Sequence, residues 1–272
     1  MFNFFKKKLK ETYTYNDANQ IVKEDITNEN VTLGRKYTEE LNFLKSIGVS
    51  SLDILSKDTL TRGEFTSLII NTFYPENIFD VSVWSENVFT DVSSTHPYYA
   101  EIKAAKDLEI VNGTYNNDFL PDEIMNYQDA IVVIIKALGL KYYAVANGGY
   151  PTGYYAAAGS FEILKGISNS ETVLTGDVAS KLIYNALFSA YADVTSVNSE
   201  GELGLTVSPD KNLLLTKYNI SKYDAKVIST PLSAIEGAKT ELGTVVLKLN
   251  DGSKLSVYAK DNDIQFELGK KV

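Results

Sequence analysis

Residues 104–113, AAKDLEIVNG, decide the fold, because residues 157–166, AAGSFEILKG, repeat their pattern. Both segments begin with two alanines and a two-residue spacer. They continue with an apolar residue, Glu-Ile and a second apolar residue, and end in a variable residue and a glycine. An internal repeat of this kind usually marks a supersecondary unit that is used more than once. We therefore expect the end of a helix and its turn at both places.

The start of a helix is clearest in LTRGEFTSLIINTF at 60–73. Thr61 and Glu64 have the spacing of a capping box, in which each side chain bonds the backbone N–H of the other residue. The side chains that follow, which are apolar with one exception, recur at the spacing of one helical face. They are Phe65, Leu68, Ile69, Thr72 and Phe73.

Two later segments follow the same plan, NYQDAIVVIIKAL at 126–138 and TGDVASKLIYNAL at 175–187. In the first of them, Asn126 and Asp129 take the positions of the capping-box threonine and glutamate. Each of these helices is preceded by a shorter helical pattern, so the sequence predicts three helix pairs. Their approximate ranges are 35–78, 88–140 and 142–192.

A helix pair with a single apolar face cannot bury that face alone. An open stack of three pairs would leave two apolar ends, so we expect the pairs to pack around a shared core near a pseudo-threefold axis. The second helices should then point Ile69, Ile134 and Ile183 into that core.

The flanking regions have different patterns. Residues 1–34 show little apolar periodicity and are predicted to be an N-terminal arm. Residues 193–272 are predicted to form a β-rich domain, because TVVLKLNDGSKLSVYAK at 244–260 alternates apolar and polar residues around an Asp-Gly turn. The predicted fold class is therefore multidomain α plus β, with a pseudo-threefold helical domain followed by a small, mainly antiparallel β domain.

Composition excludes several functions. The net charge of −9 disfavours nucleic-acid partners, which require clustered Lys and Arg. The chain has no cysteine and a single histidine, His96, so we expect no metal site, no cofactor and no cysteine nucleophile. No carboxylate pair or nucleophile motif indicates catalysis, and the chain is predicted not to be an enzyme.

The sequence shows neither a membrane span nor an export signal. No stretch approaches the ~20 apolar residues of a spanning helix. The N-terminal MFNFFKKKLKET at 1–12 has its lysines after its apolar residues and lacks the pattern of a secretory signal peptide. It suits a solvated arm or assembly contact, with a short membrane-surface helix as the alternative.

The middle of the chain resembles a known family. FTDVSSTHPYYAEIKAAKDLEIVNGTYNNDFLPDEIMN at 89–126, together with LTRGEF at 60–65, is similar to S-layer homology repeats. The third unit, ANGGYPTGYYAAAGSFEILKGIS followed by DVASKLIYNAL, resembles the third repeat of such proteins from clostridia-like bacteria. The resemblance covers roughly residues 35–192, which implies three degenerate repeats in a three-pronged pseudo-trimer.

The resemblance also implies a ligand. Many such domains bind pyruvylated secondary cell-wall polysaccharide in grooves between repeats, where a T-R-A-E-like motif supplies an arginine for the acidic ketal. That motif falls on residues 61–64, and the family glycine of the middle unit falls on residue 113. The candidate ligand-binding residues are Thr61, Arg62, Glu64, Gly113 and Tyr127, of which Tyr127 takes the position of Arg62 in the second unit.

Only one predicted groove keeps the arginine, because the third unit has Thr175 or Gly176 at that position. We expect a ligand carboxylate at the start of the helix after Thr61, where free backbone N–H groups, the helix dipole and the Arg62 guanidinium would converge. In the alternative, Asp58 or another acid neutralises Arg62 and the residue is structural.

Two functions follow as hypotheses. The first is a cell-envelope attachment module that binds an anionic wall polysaccharide at the cell surface. The second is a structural or assembly protein, in a surface-layer array or a phage virion, that keeps the fold without binding glycan. Its partners would be other copies of the chain or other structural proteins.

Overall fold

The computed structural model describes residues 9–15, 21–28, 36–49, 53–75, 88–168, 172–197 and 203–258. Within these ranges the chain forms eight α-helices and three small antiparallel sheets. The fold is therefore of the predicted mixed class, with a helical region followed by a small β region. Backbone contacts divide the chain into two units at Tyr218/Asn219, and we describe each unit by itself.

The helices occupy the centre of the chain. They are α1 (Thr38–Ser46), α2 (Arg62–Phe73), α3 (Tyr99–Asp107), α4 (Tyr127–Ala137), α5 (Lys141–Ala146), α6 (Thr152–Ser160), α7 (Gly176–Phe188) and α8 (Leu213–Tyr218). A short 3₁₀ turn spans Ile54–Ser56. The strands are β1 (Leu9–Tyr15), β2 (Ile21–Asn28), β3 (Ala190–Val197), β4 (Leu203–Asn212), β5 (Ala225–Ser229), β6 (Thr244–Leu249) and β7 (Lys254–Tyr258).

The three long helices α2, α4 and α7 begin in the same way. Thr61 Oγ1 accepts from the Glu64 N–H at 3.2 Å, and the Thr61 N–H donates to Glu64 Oε2 at 2.9 Å, which confirms the predicted capping box. Asn126 caps α4 and Thr175 caps α7 through their side-chain oxygens. Because Thr175 is the cap, the residue equivalent to Arg62 in the third helix is Gly176.

The residues just before these caps form a closed ring of hydrogen bonds. The Leu60 N–H donates to Leu174 O at 3.0 Å, the Leu174 N–H to Met125 O at 2.9 Å, and the Met125 N–H to Leu60 O at 2.8 Å. Each of the three segments thus gives one bond and receives one. This is the closure that three mutually packed helix pairs produce.

The helices follow the same cyclic order. α3 packs against α2, α6 against α4, and α1 against α7, so the first helix of each pair lies on the second helix of another. Ile69, Ile134 and Ile183 are each 0% exposed, as predicted from the apolar periodicity. Truncation of such side chains typically costs ~2–5 kcal/mol, so the shared core is a main source of stability.

The repeated decapeptide is a helix C-terminus. In both copies the glutamate after the helix has a left-handed backbone, with φ of 57° at Glu109 and 58° at Glu162. The following N–H reaches back five residues, from Ile110 to Ala105 O and from Ile163 to Ala158 O, both at 2.8 Å. This is the Schellman arrangement, which satisfies carbonyls that the helix leaves unpaired.

The β unit contains the predicted hairpin. β6 pairs with β7 in antiparallel register, with Val245 opposite Val257 and Leu247 opposite Leu255, and β5 completes the sheet on the other side of β6. Gly252 in the connecting turn has φ of 85°, the left-handed region that glycine adopts without strain.

Two regions outside the predicted helix pairs carry strands. β1 and β2 pair with each other inside the predicted arm 1–34. β3 begins three residues before the predicted boundary at residue 193, and β4 and α8 follow that boundary, yet contacts place all three with the helical unit. Buried Leu213 and Leu214, and a 2.7 Å bond from the Tyr218 hydroxyl to Thr72 O, tie α8 to the helices.

Candidate anion-binding groove

Two adjoining cavities meet at Arg62. The larger, which we call the Lys136 cavity, has a volume of about 330 Å³. The smaller, the Asn126 cavity, has a volume of about 190 Å³. Arg62, Asn112 and Asp129 line both and so form the ridge between them. Together the two cavities make a groove between the start of α2 and the outer face of α4.

Each cavity has its own character. Besides the three shared residues, the Lys136 cavity is lined by Lys136, by two tyrosines (Tyr150 and Tyr154) and by the aliphatic side chains of residues 110–111 and 132–133. The Asn126 cavity is more polar, with Gly113, Glu123 and Asn126 in its wall. An elongated ligand that crosses the ridge would therefore meet an apolar, cationic compartment on one side and an amide-rich compartment on the other.

Arg62 is held by three contacts. Its Nε donates to Phe119 O at 2.9 Å, and its guanidinium carbon lies 5.0 Å from the centre of the Phe119 ring. Its Nη1 lies 3.8 Å from Asp129 Oδ2. The side chain is 23% exposed, so an incoming ligand reaches only part of the guanidinium.

The backbone N–H groups at the start of α2 already have acceptors. The Arg62 N–H donates to Glu123 O and the Gly63 N–H to Pro121 O, both at 2.8 Å, while the Glu64 N–H bonds Thr61. These groups are therefore not free in this structure, as the expectation of a ligand carboxylate at this helix start required. The loop of the second unit occupies that position with its own carbonyl oxygens.

The acid beside Arg62 is Asp129, in the first turn of α4. Its N–H bonds Asn126 Oδ1 at 2.7 Å, and Asn126 Nδ2 donates to its Oδ2 at 2.7 Å. The Tyr150 hydroxyl donates to Asp129 Oδ1 at 3.5 Å and itself accepts from the Gln128 amide. Asp129, rather than Asp58, is thus the carboxylate that faces the guanidinium.

Lys136 is the second cation of the groove. It lies two helical turns after Asp129 on the same face of α4, and it forms no ion pair with a carboxylate in the described part of the chain. Burial lowers the pKa of Lys136 from its ordinary value of 10.5. The nearby Lys141 lowers it further, whereas Glu109 acts in the opposite direction. With the Asn112 amide oxygen turned toward it, Nζ lies 3.3 Å from that oxygen.

The remaining candidate residues have supporting positions. Glu64 is 6% exposed and pairs with Lys57, so its carboxylate belongs to the capping box. A Cβ on Gly113 would lie 2.8 Å from the Phe89 ring, which stacks on Phe119 at 5.2 Å between ring centres. Gly113 therefore permits the aromatic stack on which Arg62 rests.

The positions equivalent to Arg62 in the other helices have no room for such a site. Tyr127 is 2% exposed and lines neither cavity of the groove. A Cβ on Gly176 would lie 2.2 Å from Leu55 O, because the backbone of the 3₁₀ turn fills that space. The structure brings Thr61, Arg62 and Gly113 together and leaves Tyr127 in the core.

Sequence reasoning missed Lys136 and the role of Asp129. A lysine in the last turn of an amphipathic helix usually interacts with the helix dipole and solvent, so its type alone gave no signal. The signal that could have found it is its spacing of seven residues from Asp129, which places both on one face of α4.

Two absences hold for the residues that the structure describes. No helix among them is long and apolar enough to cross a membrane. They also contain no group of three or more His, Cys, Asp or Glu side chains placed to hold a metal ion.

Comparison with known proteins finds surface proteins. The chain is 28% identical to the middle cell wall protein of Brevibacillus brevis over 160 residues, which are 59% of this chain and 14% of that protein. It is 28% identical to a surface layer protein of Brevibacillus choshinensis over 171 residues, 63% of this chain and 15% of that protein. With a cell surface protein of Thermoanaerobacter kivui it shares 22% identity over 233 residues, 85% and 28% of the two chains.

The chain thus spans less than a third of the length of these relatives. The match to a protein family is more local. It covers residues 88–131, from the strand-like start of the second helix pair through the loop with Gly113 to the first turns of α4. This segment includes the first copy of the repeated decapeptide and one wall of the groove. Residues 88–131 match the S-layer homology domain family.

Proposed function

We propose that this chain is a non-catalytic attachment module that binds an anionic cell-wall polysaccharide, of the pyruvylated secondary type, in the groove beside Arg62. The S-layer homology domain supports a role at the cell surface. The names of the similar proteins, which are cell-wall, surface-layer and cell-surface proteins, support the same location.

One observation carries the proposal of an anionic ligand. Two cations, Arg62 and Lys136, and one acid, Asp129, line a single cavity. Apart from Asn112, aromatic and aliphatic side chains form the rest of its wall, which suits the face of a sugar ring. The overall charge of the protein is −9, so a local excess of positive charge is a feature of the Lys136 cavity rather than of the whole chain.

The test is a pull-down with purified wall sacculi, prepared with and without their secondary polysaccharide. We expect the intact chain to sediment with the first preparation and to stay in solution with the second. As a matched control, Lys165→Met should sediment like the wild type, because Lys165 is an exposed lysine outside both cavities. Equal sedimentation with both preparations would rule out polysaccharide as the ligand.

A second candidate function is structural assembly without glycan. The closed positions at Tyr127 and Gly176 favour it, because they remove two of the three grooves that the family resemblance implies. In that case the chain would fail to bind sacculi of either kind and would instead self-associate. Sedimentation velocity at increasing protein concentration would show this.

A further inference from the structure

We infer that Lys136, rather than the motif residue Arg62, receives the ketal carboxylate of the proposed ligand. The inference rests on the proposed function and assigns the subsites within the same groove. It begins from the different surroundings of the two cations.

Arg62 is largely committed within the protein. Phe119 O accepts from its Nε, the Phe119 ring covers one face of the guanidinium, and Asp129 lies 3.8 Å from Nη1. A guanidinium that is stacked, hydrogen-bonded and close to a carboxylate gains little from a further anion, and that anion would have to approach Asp129. Arg62 therefore acts as a positioning residue, which fixes Phe119 and the ridge between the two cavities.

Lys136 has fewer partners, of which the Asn112 amide oxygen lies 3.3 Å from its Nζ. It forms no ion pair with any carboxylate that the structure describes, and its stem runs beside the aliphatic wall of the Lys136 cavity. The nearby Glu109 carboxylate is already paired with Lys141, at 2.6 Å. Removing an ammonium from water without a partner is unfavourable. A bound anion would supply the partner that the fold omits.

The cavity wall is compatible with such a carboxylate. Val132 and Val133 with Ile110 and Val111 provide an apolar surface beside the ammonium, where a methyl-bearing carbon can pack. Asp129 on the ridge disfavours a second negative charge, since like charges repel at short range. Its carboxylate can instead accept a hydrogen bond from a sugar hydroxyl. A monocarboxylate on an apolar carbon fits these features better than a doubly charged phosphate.

The experiment uses the full chain and three probes. The first is a methyl hexoside that carries a pyruvate ketal, the second is the methyl ester of the same ketal, and the third is the corresponding hexoside phosphate. Isothermal titration calorimetry would compare the wild type with Lys136→Met, Lys136→Arg and the control Lys165→Met. The Met variants keep an unbranched side chain that is one atom shorter and remove the charge.

We expect the wild type to bind the ketal at least tenfold more tightly than the ester or the phosphate. Lys136→Met should bind ketal and ester equally, Lys136→Arg should retain most of the preference, and Lys165→Met should match the wild type. Binding of the ketal should also raise the pKa of the Lys136 ammonium, which can be measured by ¹⁵N NMR.

The outcomes separate the two proposals. If the wild type binds wall polysaccharide but Lys136→Met keeps the full preference for the charged ketal, the assignment to Lys136 is wrong while the attachment function stands. A folded wild type that binds neither polysaccharide nor ketal would overturn both. Tighter binding of the phosphate would contradict the ketal carboxylate of the proposed ligand and leave the assignment of the negative charge to Lys136 in place.

Discussion

Arg62 Nη1 lies 3.8 Å from Asp129 Oδ2, so the arginine at the start of α2 faces the first-turn acid of α4. The two residues belong to different helix pairs, and in their equivalent capped helix starts Arg62 is the first residue after its cap whereas Asp129 is the third. Their pairing means that the groove contains its own competitor for the guanidinium. An anionic ligand must either displace Asp129 or bind beyond it.

Replacing Asp129 with Asn tests this competition. Asp129→Asn removes the negative charge from the ridge but keeps a side chain of similar shape, so we expect severalfold tighter binding of a pyruvate-ketal hexoside by calorimetry. Asp122→Asn is the matched control, because Asp122 is exposed and lies outside both cavities. Unchanged or weaker affinity in Asp129→Asn would show that the carboxylate does not oppose the ligand.

Replacing Gly113 with Ala should disturb the support of Arg62. The new methyl group would lie 2.8 Å from the Phe89 ring, which must then shift from its stack with Phe119. Overpacking of this kind costs about 1–3 kcal/mol, measurable by urea denaturation. Gly159→Ala is the control: nothing lies near its Cβ, and it should stabilise α6 by about 0.5–1 kcal/mol. Equal effects at both positions would contradict the role given to Gly113.

The closed third position predicts the binding stoichiometry. A calorimetric titration should give one ketal per chain. Gly176→Arg should fail to create a second site and should destabilise the protein strongly, because even a Cβ meets Leu55 O at 2.2 Å. The measurement is the midpoint of thermal unfolding. A stable Gly176→Arg variant with two sites would show that the 3₁₀ turn moves aside easily.

The core prediction concerns three isoleucines. Ile69→Ala, Ile134→Ala and Ile183→Ala should each lower the free energy of unfolding by about 2–5 kcal/mol, since each side chain is fully buried. Val145→Ala, at a side chain that is 57% exposed, should change it by less than about 0.5 kcal/mol. Similar small effects at all four positions would contradict a shared core.

The pH dependence of stability should show that the ammonium of Lys136 is partly buried. Its folded-state pKa is lowered, mainly by burial, below the ordinary value of 10.5. Between those two values the unfolded chain binds more protons than the folded one, so the Lys136 contribution makes stability rise with pH. At neutral pH the lysine is charged, and the burial of that charge lowers the free energy of unfolding. We therefore expect Lys136→Met to raise the thermal midpoint.

That gain should shrink as the pH approaches 10.5. Comparing variant with wild type removes the contributions of the other ionisable groups near Lys136. These are Arg62, Glu109, Asp129, Lys141, Tyr150 and Tyr154. A gain that stays constant up to that pH would show that Lys136 is an ordinary solvated lysine.

The features that the sequence predicted are local ones. The capping box at Thr61 needs only residues three apart, and the burial of Ile69 follows from helical periodicity. The turn at Glu109 and Glu162 was recognisable because two copies share one pattern. The hairpin of β6 and β7 was predicted for a similar reason, since its strands are joined by a short turn.

The features that it missed depend on distant partners. The N–H groups at the start of α2 bond carbonyls near residue 121, about sixty positions away in the chain. The glycine at 176 is required by backbone near residue 55, and neither residue type reveals this contact. Lys136 is a candidate ligand-binding residue only because the fold places it in the same cavity as Arg62.

The bonds among Leu60, Leu174 and Met125 also determine how this architecture can change in size. A linear array has an outermost module that can be gained or lost while its neighbours keep their contacts. A circle has no outermost member. Deleting any one helix pair here would leave an unmatched donor on one neighbour and an unmatched acceptor on the other. Growth or truncation by a single module is thus penalised, which favours lengthening such a protein by appending separate domains.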